Sequence, residues 1–392
     1  MSFIQDYLTH SAEYESPTSF WKWSSYGAIS SVLRDNVYRC QGDDFLFPNI
    51  YTLLLADSAI HRKGRPVKLA EALIAAVNNT KVISGRASIQ AILDELSHTE
   101  TDKKTGNIIK GGSAIFIAEE LAAGIVADPE SIAILTNIYD YKLNFTSRLR
   151  TQGNFKIEKL VFSMLAASNE DLLRGIYDQT AIRGGLLGRT FVITPNEFRP
   201  SNTLFNLPDK TESRKKLISQ LTDISKMRGE MKFDKDAIGE YKGWYEPFRM
   251  SYKNKVDKTG IVGRLHTGVL KVAIILAANH VSMNVTKEYM EEAISECLSI
   301  IPNYRSFLMT SGKSNISETG AIVLEELLSA AGKNYTVTRK VLLREHWSSF
   351  DGELLDKATS TLEQAGLLLS VLEGNELAYR LTDKCLETMK GA

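Results

Sequence analysis

Three things are scarce in this sequence: cysteine, net charge and long apolar runs. Among 392 residues only Cys40, Cys297 and Cys385 are cysteines, and they lie far apart. That number and spacing exclude a disulfide framework and the usual zinc sites, and they favour a reducing compartment. Lysine plus arginine and aspartate plus glutamate both number 47, so the net charge is zero. A protein that coats nucleic acid with its whole surface is therefore not expected, although a local basic channel is compatible with neutrality.

The sequence also lacks the features of a secreted or membrane-spanning protein. Its N-terminal "MSFIQDYLTHSAEYES" is polar and acidic, unlike a secretory signal. The apolar segment Val269–Val281 is too short to cross a bilayer, so we predict a buried helix there. The length suggests two or three domains of a globular protein that has no membrane partner.

Hydrophobic patterning divides the chain into regions of different character. Residues 1–46 look helical, and residues 206–312 are also helical and of mixed charge. Between them, residues 47–205 alternate apolar strands with helices, which predicts an α/β fold with a mostly parallel sheet. Residues 313–392 have the pattern of three helices followed by a β-hairpin at Gly374-Asn375, the arrangement of a winged-helix domain. The strands predicted in the second region are "IYTLLLAD", "SAIFIAEE", "KLVFSMLAASN" and "GRTFVITP".

A strand, a polar loop with a lysine and a helix follow one another in "LLLADSAIHRKGRPVKLA" (Leu53–Ala70). This is the layout of a phosphate-binding loop, whose usual signature is G-x-x-x-x-G-K-[ST]. Here the first glycine is missing, and Gly64-Arg65 follows Lys63 where a hydroxyl residue is usual. Lys63 would contact the β- and γ-phosphates, and Ser58 or nearby acids would partly replace the missing hydroxyl. Backbone N–H groups at the helix start would cradle the phosphates: His61, Arg62, Lys63 and Gly64.

Such a loop works together with polar groups at the ends of neighbouring strands. "SAIFIAEEL" places Glu119 after a strand, where it could hold magnesium, and Glu120 where it could orient an attacking water. Alternatively, both acids complement the dipole of a helix N-terminus. "LVFSMLAASNEDLL" places Ser168 and Asn169 at another strand end, with Asn169 as the candidate sensor of the γ-phosphate. The alternative is that one of them caps a helix that begins at Glu170.

Two further groups of basic residues complete the candidate site. Phosphate chemistry needs an arginine, often supplied by a neighbouring subunit. "IRGGLLGRTFVITP" offers Arg189, with Arg183 as second choice, and the alternative is an exposed arginine at a strand end. "YKLNFTSRLRTQGNFK" has the pattern of a hairpin whose Lys142, Arg148 and Arg150 are candidate DNA contacts. A solvated surface hairpin is the alternative.

The segment "YKGWYEPFRMSY" places aromatic residues on one helical face, with basic residues between them. Rings interleaved with cations can stack nucleic-acid bases. The same spacing is typical of core packing, which we favour for this stripe. Its members are Tyr241, Trp244, Tyr245, Phe248 and Tyr252.

Taken in order, these motifs resemble a family of phage, prophage and plasmid replication ATPases. The family is related to primase–helicases and has RecA- or AAA+-type P-loop cores, and the likeness spans about residues 3–280. The matching segments are "PNIY" with "RKG", the Walker B-like "AIFIAEELAAGI", "LTNIYDYKLNFTSRLRTQG", the sensor 1-like "SMLAASNEDLL" and the arginine-bearing "GGLLGRTFVI". "GRLHTGVLKVAIILAA" is similar to the helix that closes the ATPase lid, with Arg264 or Lys271 in the sensor 2 position.

The resemblance implies an ATP-driven DNA helicase or translocase that acts as a homo-hexameric ring in replication. ATP and Mg²⁺ would bind between subunits, and single-stranded DNA would pass through a central pore. A primase or polymerase partner and the cytoplasm of a bacterial host are implied as well.

The sequence departs from the family pattern at Asp57, Arg65 and Glu119, where glycine, a hydroxyl residue and aspartate are usual. These departures leave a second hypothesis open, a DNA-binding or loader protein whose degenerate site binds ATP but hardly hydrolyses it. A third is an α/β protein whose winged helix mediates protein contacts.

Overall fold

The chain forms two compact units, Met1–Leu308 and Met309–Ala392, which are described separately. The computed structural model describes residues 2–57, 60–77, 79–85, 87–98, 100–101, 108–109, 112–121, 129–149, 153–169, 185–200, 208–253, 260–304, 315–330, 334–383 and 385–386.

The first unit is a mixed α/β structure. Its helices are α1 (Phe3–His10), α2 (Thr18–Leu33), α3 (Gly64–Val77), α4 (Ile89–Ser97), α5 (Pro129–Tyr139), α6 (Thr211–Ser225), α7 (Lys235–Ser251), α8 (Ile261–Ala278) and α9 (Lys287–Ser299). Its longer strands are β1 (Val37–Gln41), β2 (Asp44–Leu46), β3 (Tyr51–Leu55), β4 (Lys81–Ser84), β7 (Ser113–Ala118), β8 (Lys142–Leu149), β9 (Gly153–Ser168) and β10 (Thr190–Ile193). Its two-residue strands are β5 (Glu100–Thr101), β6 (Ile108–Ile109), β11 (Gly229–Glu230), β12 (Lys232–Phe233) and β13 (Asn284–Val285).

A mostly parallel sheet forms the centre of this unit, which confirms the predicted α/β class. Its strands lie in the order β10–β3–β9–β7–β4 and all pair in parallel. The remaining strand, β8, pairs antiparallel with the first half of β9. The four strands predicted from apolar runs are confirmed as β3, β7, β9 and β10. Strand β4 was not predicted, because its four residues are too few to show a pattern.

The helical prediction for residues 1–46 is wrong at its C-terminal end. Helices α1 and α2 are present, and α2 follows Pro17 as the Ser16-Pro17 signal predicts. After them, however, β1 and β2 form an antiparallel hairpin that turns at Gly42, whose φ of +65° suits glycine. Strand formation agrees with the β-branched and aromatic residues Val37 and Tyr38.

The apolar segment near residue 270 is a core helix, as predicted, but longer. Helix α8 has 18 residues and a mean hydropathy of 1.7, so it is long and apolar enough to span a membrane. In the structure 67% of it is buried inside the unit. A Cβ atom at Gly268 would lie 2.9 Å from the Phe191 ring, so glycine allows α8 to approach the sheet closely.

A buried polar network joins α8 to the N-terminal edge of the sheet. The Lys271 Nζ donates to the main-chain and side-chain oxygens of Asn49, both at 2.9 Å, and lies 4.0 Å from the centre of the Tyr139 ring. The Asn49 amide donates in turn to the carbonyls of Tyr139 (2.8 Å) and Phe162 (3.0 Å). Burial lowers the pKa of Lys271 to about 7. The network therefore fastens α8, α5 and the start of β3 to one another.

The second unit has its own core and a small antiparallel sheet. Its elements are α10 (Asn315–Ser329), β14 (Thr336–Thr338), α11 (Arg339–Glu345), α12 (Gly352–Gln364), β15 (Leu368–Glu373) and β16 (Glu376–Leu381). The sheet order is β14–β16–β15, and Leu342, Leu355 and Tyr379 lie in the core. Three helices and the hairpin at Gly374-Asn375 agree with the sequence pattern, to which the structure adds β14.

The Lys271 network predicts a pH dependence of stability. The folded chain has a Lys271 pKa of about 7 against 10.5 for an ordinary lysine, so between these values the unfolded chain binds more protons. Stability should therefore rise with pH in this window, by at most about 1.4 kcal/mol per pH unit. In Lys271→Met this contribution should vanish, as measured by denaturant unfolding at several pH values. The exposed Lys226→Met is the control, and parallel profiles for Lys271→Met and the parent chain would contradict the prediction.

Candidate functional site

Three strand ends meet at the C-terminal edge of the parallel sheet. Because β9 lies between β3 and β7, Leu55 pairs with Ser168 and Ala118 pairs with Ala166. The loops that follow parallel strands all begin at the same edge of the sheet, and ligands of such sheets bind there. The polar segments that leave here are the loop with Lys63, the pair Glu119-Glu120, and Asn169.

The Lys63 side chain turns back over the end of β3. Its Nζ donates to the carbonyl oxygens of Ala56 at 3.2 Å and Asp57 at 3.5 Å. Burial lowers the pKa of Lys63, while the charges of Glu120 and Asp57 oppose that shift. A half-buried ammonium at a strand end is a suitable partner for an anion, which would replace the weak carbonyl contacts.

The loop before α3 is held by the connection between α1 and α2. Arg62 has a left-handed φ of +46°, and its carbonyl accepts hydrogen bonds from Arg65 N and Ser16 Oγ, both at 3.0 Å. Its Nε donates to Glu15 at 3.0 Å. The helix therefore begins at Gly64 in a fixed position, and the first N–H groups of a helix are available to an anion.

Glu119 lies against the start of α3. Its Oε2 is 3.0 Å from Lys68 Nζ, and a Cβ atom added to Gly64 would lie 3.0 Å from the same oxygen. Gly64 thus leaves room for this carboxylate. The sequence prediction missed Lys68, although its position one turn after Gly64 was a usable signal.

A cleft of about 540 Å³ opens in front of this loop. Its lining includes four cations and one carboxylate, namely Arg62, Lys63, Arg65, Lys68 and Glu119. The N-terminal segment contributes the rings of Tyr14 and Trp21 to the lining, and these rings stack at 5.5 Å. The Arg65 guanidinium lies 4.9 Å from the centre of the Tyr14 ring. Arg65, which stands where a hydroxyl residue is usual, therefore stacks on the Tyr14 ring.

The two glutamates at this edge could ligate a Mg²⁺ ion whose other ligands are phosphate oxygens. Mg²⁺ usually takes one or two carboxylates together with phosphate oxygens and waters. Glu119 and Glu120 are exposed beside Lys63, and Ser168 Oγ is buried here without a hydrogen-bond partner among the described residues. In the part of the chain that the structure describes, no group of three or more His, Cys, Asp or Glu side chains could hold a metal ion unaided. Ser58 lies outside the described residues, and so does the helix predicted to begin at Glu170.

Arg189 lies at the N-terminal end of the parallel strands, whereas Lys63 lies at their C-terminal end. It precedes Thr190, which pairs with Tyr51 at the start of β3. The five residues of β3 span about 13 Å, which separates Arg189 from the strand end near Lys63. Arg189 therefore cannot share the cleft of its own chain without a rearrangement.

A second arginine accompanies Arg189. Arg189 Nη2 lies 2.8 Å from Asp140, and Nη1 donates to the Gly185 carbonyl at 3.3 Å. Arg264 at the start of α8 lines the same small cavity, about 50 Å³ in volume. The structure thus brings Arg264 to Arg189, not to Lys63, and Lys271 is occupied by Asn49. Arg183 lies outside the described residues.

The predicted hairpin is present, as β8 paired with the first half of β9. Pairing runs from Lys142 opposite Leu160 to Leu149 opposite Gly153. Lys142 is half-buried at its base. The Arg148 side chain and the whole of Arg150 lie outside the described residues, so the hairpin is confirmed and its DNA contacts stay a prediction.

Comparison of the sequence with protein-family models finds no match, and a search of curated proteins finds no relative. Inference about function therefore depends on the fold, on the two charged sites and on the motifs in the sequence.

Proposed function

We propose that this chain is an ATP-dependent DNA helicase or translocase with a P-loop core, acting as a ring in the replication of a phage or other mobile element. The observation that carries the proposal is the convergence of the Lys63 loop, Glu119-Glu120 and Asn169 at one edge of the sheet.

The topology of the sheet supports a nucleotide site at this position. Numbered along the chain, its parallel strands lie in the order 5-1-4-3-2. Strand β3, which precedes the Lys63 loop, lies between β9 and β10, the last two parallel strands in sequence. Strand β4, the next parallel strand in the chain, lies at the far side of the sheet. The connections that leave the neighbouring strands β3 and β9 lead in opposite directions, and ligands of parallel sheets bind at such points.

Each group at the C-terminal edge has a role in this proposal. Lys63 and the N–H groups at the start of α3 would hold the phosphates. Glu119 would exchange its ion pair with Lys68 for Mg²⁺, which offsets phosphate charge when bound. Glu120 would orient the attacking water and accept its proton, and Asn169 would contact the γ-phosphate.

The separation of the two edges supports ATP binding between subunits. Arg189 and Arg264 lie about a strand length from the cleft of their own chain. These arginines would therefore act on a nucleotide that is bound to a neighbouring copy. Contacts of this kind close into a ring when the rotation between copies allows it. We propose a homo-hexamer with single-stranded DNA in the pore, contacted by Lys142, Arg148 and Arg150.

One observation favours the second candidate, a DNA-binding or loader protein that binds ATP without turnover. Arg65 stacks on Tyr14, and Glu119 pairs with Lys68, so two positions that usually serve magnesium are engaged elsewhere. ATP binding without hydrolysis, tested with and without single-stranded DNA, would support this candidate.

The second unit supports a role in protein contacts. Its element order agrees with a winged helix. Helix α12, which would read a DNA groove, carries Glu353 and Asp356, and Asp356 pairs with Arg339 at 2.8 Å. Two large apolar side chains, Trp347 and Leu372, are 78% and 77% exposed. We therefore propose that this unit contacts a replication partner such as a primase or polymerase.

Lys63→Ala should weaken ATP binding by about tenfold to a hundredfold, because charge-assisted hydrogen bonds contribute about 1.5–3 kcal/mol. Titration with a fluorescent ATP analogue measures the effect. Lys287→Ala, on the exposed side of α9, is the matched control and should bind like the parent. An unchanged dissociation constant for a folded Lys63→Ala protein would put the site elsewhere.

Arg189→Ala should bind ATP but hydrolyse it about a thousandfold more slowly, the loss typical of an arginine supplied in trans. Glu120→Gln should also bind without hydrolysis. Because a mixed ring contains some interfaces with both native residues, mixing the two inactive proteins should restore part of the activity. Arg189→Lys serves as a second variant should the Asp140 contact be needed for folding. Absence of rescue with two folded variants would argue against action between subunits.

A further inference from the structure

Aromatic residues in the C-terminal half of α7 and at its C-cap form a row of rings in contact. Tyr241 stacks on Tyr245 with centroids 5.6 Å apart, and Trp244 stacks on Phe248 at 5.0 Å. Phe248 also lies 5.1 Å from Tyr252. We call these five residues the aromatic ladder. Its rings follow one another along the helix without interruption.

Core packing, the interpretation that the spacing favoured, explains only one side of the ladder. All five rings are half-buried, and in α7 only Ala237 is buried. Tyr241, Trp244 and Phe248 pack against the edge of the main core, and the Tyr245 ring lies 5.2 Å from the His266 ring of α8. Each ring therefore keeps an exposed part that a ligand could contact.

A groove of about 600 Å³ lies between the ladder and the first turn of α8. Tyr245, Phe248 and Tyr252 line one wall, and Val262 and Gly263 line the other. Among the described residues, a Cβ atom at Gly263 would meet nothing within 4 Å, so that wall leaves free space. The volume is in the range of binding sites for small organic groups.

The charges along this groove favour a polyanion. Arg249 and Lys253 line the groove, and over residues 241–253 the cations Lys242, Arg249 and Lys253 are exposed against the single acid Glu246. Among the described residues, the ion pairs of the structure do not include any of these three cations. Aromatic faces beside unpaired cations are the combination that holds single strands, with bases on the rings and phosphates on the cations.

We infer that the groove binds single-stranded nucleic acid, with bases stacked on Tyr245 and Phe248 and phosphates beside Arg249 and Lys253. The inference rests on the proposed function and names a surface, apart from the β8–β9 hairpin, that holds the strand. The residue after Gly263 is Arg264, which shares its cavity with Arg189. A nucleic-acid strand in the groove would therefore lie next to the arginines that are proposed to act on the ATP of a neighbouring subunit.

The test measures binding of a fluorescein-labelled oligothymidylate of about 20 nucleotides to the full chain by fluorescence anisotropy. Tyr245→Leu keeps apolar bulk but removes the ring face, and should weaken binding about fivefold to a hundredfold. Tyr245→Phe keeps the ring and should bind like the parent. Phe45→Leu, which alters an exposed ring in the β1–β2 hairpin, is the control and should also bind like the parent.

A second measurement removes cations of the groove instead of a ring. It tests the proposed binding site even if Tyr245→Leu fails to fold. Arg249→Gln with Lys253→Gln should lower the slope of log affinity against log salt by about 1.4, or about 0.7 per lost phosphate contact. If the parent binds DNA and neither Tyr245→Leu nor the double variant changes affinity or slope, the groove is not the site, although the proposed function survives. A parent chain that does not bind the oligonucleotide would overturn both.

Discussion

The position of β9 between β3 and β7 is the constraint on which the candidate site depends. Its last residues pair in parallel with both neighbours, so Ser168 lies beside Leu55 while Ala166 lies beside Ala118. Since all three strands point the same way, their polar ends share one edge. A one-residue slip would turn every side chain of β9 to the other side of the sheet. Such a slip would break the hydrogen bond between Ser163 and Ser30 and move the Phe162 ring away from Tyr51, so specific packing holds the arrangement that brings Lys63 to the two glutamates.

The other edge of the same sheet is organised by a buried lysine. Lys271 ties α8 to Asn49 and Tyr139, and the residue after Tyr139 is Asp140, the partner of Arg189. Burying an amine is costly unless its hydrogen bonds are satisfied, and Asn49 supplies two of them. The sheet thus carries a cleft lined by cations at one edge and two neighbouring arginines at the other. In the proposed ring, a second copy of the chain would bring the two together.

Local patterns in the sequence predicted the parts that depend on neighbouring residues. The apolar runs of β3, β7, β9 and β10 and the polar residues that follow them could be predicted because strand and strand end are adjacent in the chain. Lys68, Tyr14 and the partnership of Arg264 with Arg189 depend on tertiary packing, which no local pattern encodes. The aromatic stripe of α7 shows the same limit, since helical spacing predicts a common face but not whether that face is covered.

The most direct test of the account is electron cryomicroscopy of the full chain with a slowly hydrolysed ATP analogue, Mg²⁺ and single-stranded DNA. We expect a closed ring in which the triphosphate lies between Lys63 of one subunit and Arg189 of the next. Nucleotide bound away from Lys63, or particles that stay monomeric when nucleotide and DNA are both saturating, would contradict it.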